Sequence, residues 1–192
     1  METPKVIQDK HAISVVLWGG NNPQDPLADP AGHMALAVHA DISQPVTCHL
    51  HHARCPDQVR FIYESRPSQR FAADPAPRGR CELRGGLSAD DARAANEVLA
   101  RFGADEAWLP FYGEGNCHNW TAAAVRALES AGLAESGDGA AWEALIGRGP
   151  RAMQRSWVEE RGGGILSSGT GNATSIKDRV NVLQKLLGGE SR

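Results

Sequence analysis

Gly113-Glu114-Gly115-Asn116-Cys117-His118-Asn119-Trp120, continued by Thr121-Ala122-Ala123-Ala124-Val125-Arg126-Ala127-Leu128, is the stretch on which this chain turns. Two glycines and an asparagine make a turn, and a helix begins on or beside Cys117. The first N–H groups of a helix lack partners within it, and the positive end of the macrodipole lies there. That field favours a thiolate, the nucleophilic form, over a thiol. A free cysteine is more often a buried core residue. A polar turn leading into a helix start shifts the balance toward reactivity. A reactive thiol then needs a base within hydrogen-bond reach.

The base has to come from the strands upstream. Ala12–Trp18 is a β-branched run closed by Gly19-Gly20, a strand pattern. Gly32–Ala40 is a second strand, with Met34, Leu36 and Val38 on one face and His33, Ala35, Ala37 and His39 on the other. Its small alanines leave room for something to pack above them. Asp41–Pro45 is a turn, and Val46–Ala53 reads as the returning antiparallel strand. There Val46, Cys48 and Leu50 alternate with Thr47, His49 and His51. Paired so that the large apolar faces match, the two strands bring His33, His49 and His51 to one side. Val59–Glu64 is a third strand, Arg66–Arg80 a loop, and Cys81–Arg84 a short edge strand.

Beyond them, Ser88 and Asp91 form an N-terminal capping pair for a helix with Ala92, Ala95, Val98, Leu99 and Phe102 on its apolar side, ended by Gly103. The Cys117 helix follows, with Val125, Leu128 and Leu133 apolar and Gly132 at its end. Two shorter helices are expected, over 140–146 and over 150–160 with Pro150 in the first turn. The pattern gives one domain over 1–160, a Gly/Ser linker over 161–174 and an amphipathic helix over 175–187. The stripe Ile176, Val180, Leu183 and Leu187 of that last helix would dock on its own domain or on a second copy of the chain.

Composition narrows the classes. A formal net charge of −3, with no long Lys/Arg run, argues against nucleic acid as a partner. No apolar run is long enough to span a membrane, and the N-terminus has no apolar signal core, so a cytoplasmic protein is expected. Cys48, Cys55, Cys81 and Cys117 match no CxxC spacing and read as free thiols.

Among residues able to do chemistry, Cys117 is the nucleophile and His33, opening a strand with alanines behind it, is the base. His49 or His51, two residues apart on the same strand face, would accept the hydrogen bond from His33 and fix its tautomer. Asn116 and the Cys117 N–H are candidates for holding an oxyanion, and Trp120 for walling a pocket or anchoring the helix in the core. His118 points about 100° away from Cys117 on the helix and is a poor partner for the thiol. Zinc held by His33, His49, His51 and Cys117 is a competing arrangement, without an acidic neighbour or HExxH motif to strengthen it.

The order of a strand His, a polar residue on the next strand and a Cys opening a later helix resembles the circularly permuted branch of the NlpC/P60 papain-like superfamily. That branch includes the lecithin:retinol acyltransferase-like and PPPDE-like proteins. The stretch Asn116–Trp120 is similar to the Asn-Cys-x-x-Trp helix start of a group of largely fungal proteins of this type; Met34 stands here where an aromatic residue follows the histidine in those. The resemblance covers roughly residues 12–133. It implies an α+β papain-like fold, with an antiparallel sheet of about four or five strands on the nucleophile-bearing helix. It also implies Cys117 as nucleophile, His33 as base and acid, and His49 as third residue. Cofactor-free acyl transfer through a thioester would follow, on a small-molecule or peptide substrate, as hydrolase, acyltransferase or cyclase. The rival is a binding module on the same fold, with Cys117 a core thiol.

Overall fold

The structure is a computed structural model and describes residues 10–19, 24, 32–42, 45–70, 77–161 and 165–166. Its centre is an antiparallel sheet of five full strands and one short one. These are β1 (His11–Trp18), β2 (His33–Ala40), β3 (Thr47–Arg54), β4 (Ile62–Arg70), β5 (Pro77–Leu87) and β6 (Ile165–Leu166), in the order β4-β3-β2-β1-β5-β6. Four helices follow β5 in the chain: α1 (Ala89–Ala104), α2 (Cys117–Ser130), α3 (Asp138–Ala144) and α4 (Pro150–Arg161). The fold class is α+β, as the strand-then-helix order predicts.

Period-two alternation gives the sheet two different faces. Ile13, Val15, Leu17, Met34, Leu36 and Val38 face α1 and α2 and close a core with Leu99, Trp120, Val125 and Leu128. On the reverse face Val16, Ala35, Ala37, Cys48 and Leu50 form a smaller buried cluster. β1 has a neighbour on either side and its Ala12–Leu17 run is buried throughout, which suits its near-continuous apolar sequence.

The element boundaries correct the sequence reading in four places, three in strands and one in a helix. β4 begins at Ile62 and continues to Arg70, through residues expected to form a loop. It tolerates Pro67 because it is an edge strand and because the ladder to β3 is irregular between Cys48 and Leu50. β5 is eleven residues long and is no edge: it lies between β1 and β6. Gly103 does not end α1. It sits inside the last turn, buried, because a Cβ there would meet the Tyr63 ring at 2.2 Å. Ile165–Leu166, expected in the linker, pairs with Cys81 and Arg80. The amphipathic stretch 175–187 lies outside the described residues.

The helix starts agree with their capping sequences. The Ser88 side chain accepts from the Asp91 N–H at 3.1 Å, and Asp91 Oδ2 accepts from the Ser88 N–H in return. α1 and α2 pack against each other and against the sheet, and the first turn of α2 reaches the start of β2, where the Met34 N–H meets Cys117.

Candidate functional site

The first turn of α2 is tied down from both sides. Asn116 is its N-cap and accepts from the His118 N–H at 2.8 Å, while Asn119 Oδ1 accepts from the Asn116 N–H at 2.9 Å. The Gly113–Gly115 turn ahead of it is closed by the Glu114 and Gly115 N–H groups donating to the Phe111 carbonyl, with Gly113 in the left-handed region at φ +90°. Cys117 is thus the first residue of a fixed helix. The residue is 7% exposed. Burial pushes the thiol up, and the N–H groups of Met34, Cys117 and His118 act against that by favouring the thiolate. The Met34 N–H belongs to the residue after His33, so the sulfur lies at the His33 end of β2.

His33 starts a row of hydrogen bonds along the sheet. Its Nε2 meets His52 Nδ1 at 2.7 Å, and His52 Nε2 meets Glu64 Oε2 at 3.0 Å. The same Glu64 oxygen forms an ion pair with Arg54, whose Nε is 2.7 Å away, and accepts from Arg66 Nη2 at 2.8 Å. Burial works to raise the Glu64 carboxyl. The Arg66 hydrogen bond, with the charges of Arg66, Arg54 and His52, outweighs it and holds Glu64 below the usual carboxylate range.

An ionised carboxylate only accepts, so His52 carries its proton on Nε2. Neutral His52 then has a bare Nδ1, and the proton in the short bond to His33 belongs to His33 Nε2. The lone pair of His33 is left on Nδ1. Burial, followed by the fields of His52, His118 and Arg66, pushes His33 down to about 3, so it is neutral across the physiological range. The Trp18 ring flanks it, with centroids 5.0 Å apart.

The other expected site residues fall elsewhere. His49 Nε2 bonds Ser65 Oγ at 2.7 Å. His51 Nδ1 bonds the Tyr63 hydroxyl at 2.7 Å and its Nε2 bonds Asn96 Oδ1 at 2.9 Å, inside the helix-covered core. Neither meets His33, and the hydrogen bond to His33 expected of His49 is made by His52. The cause is register. Leu36 pairs with His51 and Val38 with His49, which puts those histidines on the α1/α2 face, and Cys48 and Leu50 on the other. The zinc quartet does not assemble for the same reason, since His33 lies on the opposite face from His49 and His51. Among the described residues no group of three or more His, Cys, Asp or Glu is placed to hold a metal ion.

Trp120 is a core residue, buried and packed on Tyr63 and Phe102 with centroids 5.8 Å away in each case. The Asn116 side-chain oxygen is occupied as a cap, which leaves its NH2 group as the part able to face an oxyanion. His118 is buried and close enough to act on His33, so it is nearer the site than its helix position suggests. The sequence reading missed His52 and Glu64. Their signal was the strand parity: Ala35 and Ala37 lie on the His33 face, and an even-numbered partner on β3 shares it once Leu36 stands opposite His51.

No curated protein and no solved structure matches the chain. The sequence model of one family matches residues 24–135, more than half of the chain and a span that includes His33, His52, Glu64 and Cys117. The chain therefore belongs to DUF6540, a family described as being of unknown function.

Proposed function

We propose that this protein is a thiol-dependent acyl-transfer enzyme with Cys117 as nucleophile, His33 as general base and acid, and His52 and Glu64 as the residues that orient His33. The observation that carries the reading is the directed row Glu64–His52–His33. It leaves an unprotonated Nδ1 on a histidine whose strand parity turns it to the face away from α2, but which opens β2 at the end where the Met34 N–H meets the Cys117 sulfur and is near enough to His118, in the first turn of α2, to feel its charge. The resemblance to permuted NlpC/P60 proteins supports the same roles for Cys117 and His33, with His52 in the third position in place of His49.

In the first step the Cys117 S–H proton passes to His33 Nδ1 as the sulfur bonds the substrate carbonyl carbon. The carbonyl π pair becomes an oxyanion, held by N–H groups at the α2 start and by the Asn116 NH2. The oxyanion collapses, the leaving amine, alcohol or thiol takes the proton from His33, and a thioester remains on Cys117. Water or a second nucleophile then gives its proton to His33, attacks the thioester, and Cys117 leaves as the thiolate that recovers the proton. Because burial raises the thiol and lowers the imidazole, the resting pair is thiol plus neutral imidazole. Proton transfer accompanies attack and does not precede it.

The competing reading, a binding module with an inert core thiol, draws on the same burial of Cys117. Acylation separates the two. p-Nitrophenyl acetate is added and the protein is acid-quenched and mapped by mass spectrometry. The expected result is an acetyl group on Cys117, absent in Cys117→Ala and formed about 100-fold more slowly in His33→Ala. No acetyl-Cys117, or equal rates with and without His33, would establish the binding module.

A further inference from the structure

Six large hydrophobic side chains stand exposed among the described residues, and four of them belong to one small region: Val59 (71%), Trp108 (53%), Phe111 (77%) and Tyr112 (56%). The region leads into the Cys117 helix. It is held rigidly. Arg60 and Phe111 form an antiparallel bridge, Tyr112 bridges to Gly115, and Arg60 Nη2 reaches Glu106 at 2.7 Å. Trp108 stacks on Phe102 with centroids 5.2 Å apart. Exposed aromatic side chains on a backbone held in this way are set up as anchors, since little backbone freedom is left to lose when a partner covers them.

The rim has a sign. Asp57, Asp105, Glu106 and Glu114 each lie within three residues of one of these hydrophobic side chains along the chain and are exposed, and Arg60 stands among them already paired with Glu106. Four carboxylates to one guanidinium disfavour an anionic bilayer or a nucleic acid and favour a cationic partner. Apolar anchors inside an acidic rim fit a polypeptide segment that carries a large apolar side chain between basic ones.

We propose that the Val59/Trp108/Phe111/Tyr112 patch is the docking surface for an extended, basic polypeptide segment with an apolar anchor residue. On the acyl-transfer reading above, the segment is the substrate or the acceptor, delivered beside Cys117. Docking itself needs no chemistry at Cys117, so the two are tested apart.

The probe is an acetylated, amidated heptapeptide with a central Phe between paired lysines, titrated into the Cys117→Ala protein. Binding is followed by amide NMR shifts at 59–60 and 108–115. The expected result is saturable shifts there, with affinity about tenfold or more above that of the same peptide with Glu for Lys. A central Ser, or Phe111→Ser/Tyr112→Ser in the protein, should remove the binding, and added salt should weaken it. Equal binding of the Glu peptide, no binding of either, or shifts confined to other regions overturns the proposal. So does preferential sedimentation with phosphatidylcholine–phosphatidylserine vesicles, or self-association that Phe111→Ser abolishes. Peptide binding without acetylation of Cys117 by p-nitrophenyl acetate would keep the docking surface and discard the enzyme; acetylation without peptide binding would do the reverse.

Discussion

Leu36 pairs with His51 across β2 and β3, and that one pairing decides which histidine meets His33. Side chains directly opposite share a face, so His51 follows Leu36 into the core beneath the helices. The next rung then belongs to Ala35 and His52 on the reverse face. His33, two residues before Ala35, lies diagonal to His52, a separation that ring side chains can close. The 2.7 Å bond between the two rings is the result.

The first expected outcome concerns this choice. His52→Ala removes the acceptor for His33 Nε2–H and lets the ring turn or change tautomer. Acetylation of Cys117 by p-nitrophenyl acetate should slow about 10–100-fold. His49→Ala, which removes a bond to Ser65 and a stacking contact with His51 but nothing that touches His33, should leave the rate within about twofold. Equal effects of the two substitutions would mean that His52 does not orient the base.

Glu64 should act only through His52. Glu64→Gln keeps the shape but ends the obligation of His52 to hold its proton on Nε2, and it leaves Arg54 and Arg66 without their shared carboxylate. Nitrogen-15 shifts of the His33 and His52 rings should change from single tautomers to mixtures, with acetylation falling about tenfold or more. Glu64→Asp should recover part of both. An unchanged tautomer in Glu64→Gln would remove Glu64 from the row.

How much of this could be read from the sequence depends on which interaction decided each feature. Local rules served well where the cause is local. Ser88 with Asp91, and Asn116 before Cys117, gave helix starts because a cap and its N–H lie within three residues of each other. The alternation of β2 was legible, and so was the position of His33. The partner of His33 was not, because parity within a strand does not fix register between strands, and a one-residue slip moves every side chain to the other face. Matching Cys48 and Leu50 to Leu36 and Val38 looked favourable on hydrophobicity alone. In the structure His51 earns its core place through Tyr63 and Asn96, on β4 and α1, and the alanines of β2 accommodate Cys48 and Leu50 on the reverse face. Gly103 failed as a stop signal for a similar reason: a Tyr63 ring forty residues upstream set its requirement.

Asn116 separates stability from chemistry. Its side chain caps α2, and Asn116→Ala should cost about 1 kcal/mol, a fall in melting temperature of about 2–4 °C for a chain of this size. Asn116→Asp keeps a capping oxygen and should restore the melting temperature. It has no NH2 group and adds a negative charge beside the forming oxyanion, so acetylation of Cys117 should stay slow. Full recovery of acetylation in Asn116→Asp would show that Asn116 is a cap and nothing more.

Acid should destabilise the fold before ordinary carboxylates titrate. Burial is the largest cause lowering His33 from 6.5 to about 3, and likewise His39 and His51 from 6.5 to about 4. Between each pair of values the unfolded chain binds a proton that the folded chain refuses. Stability from these groups is therefore full above about pH 6.5 and is lost as pH falls toward the folded values. Each histidine contributes up to about 1.4 kcal/mol per pH unit in that window. Glu82, raised by burial, acts in the opposite direction. Urea unfolding at pH 7.5, 6.5, 5.5 and about 4.5 should give midpoints that hold between the first two and then drop steeply. His51→Gln offers an amide to Tyr63 and Asn96 without a titrating ring, and it should lower the midpoint at pH 7.5 but flatten the drop. A midpoint independent of pH down to about 5 would mean that these imidazoles accept protons in the folded state, and the neutral His33 on which the proton row depends would go with it.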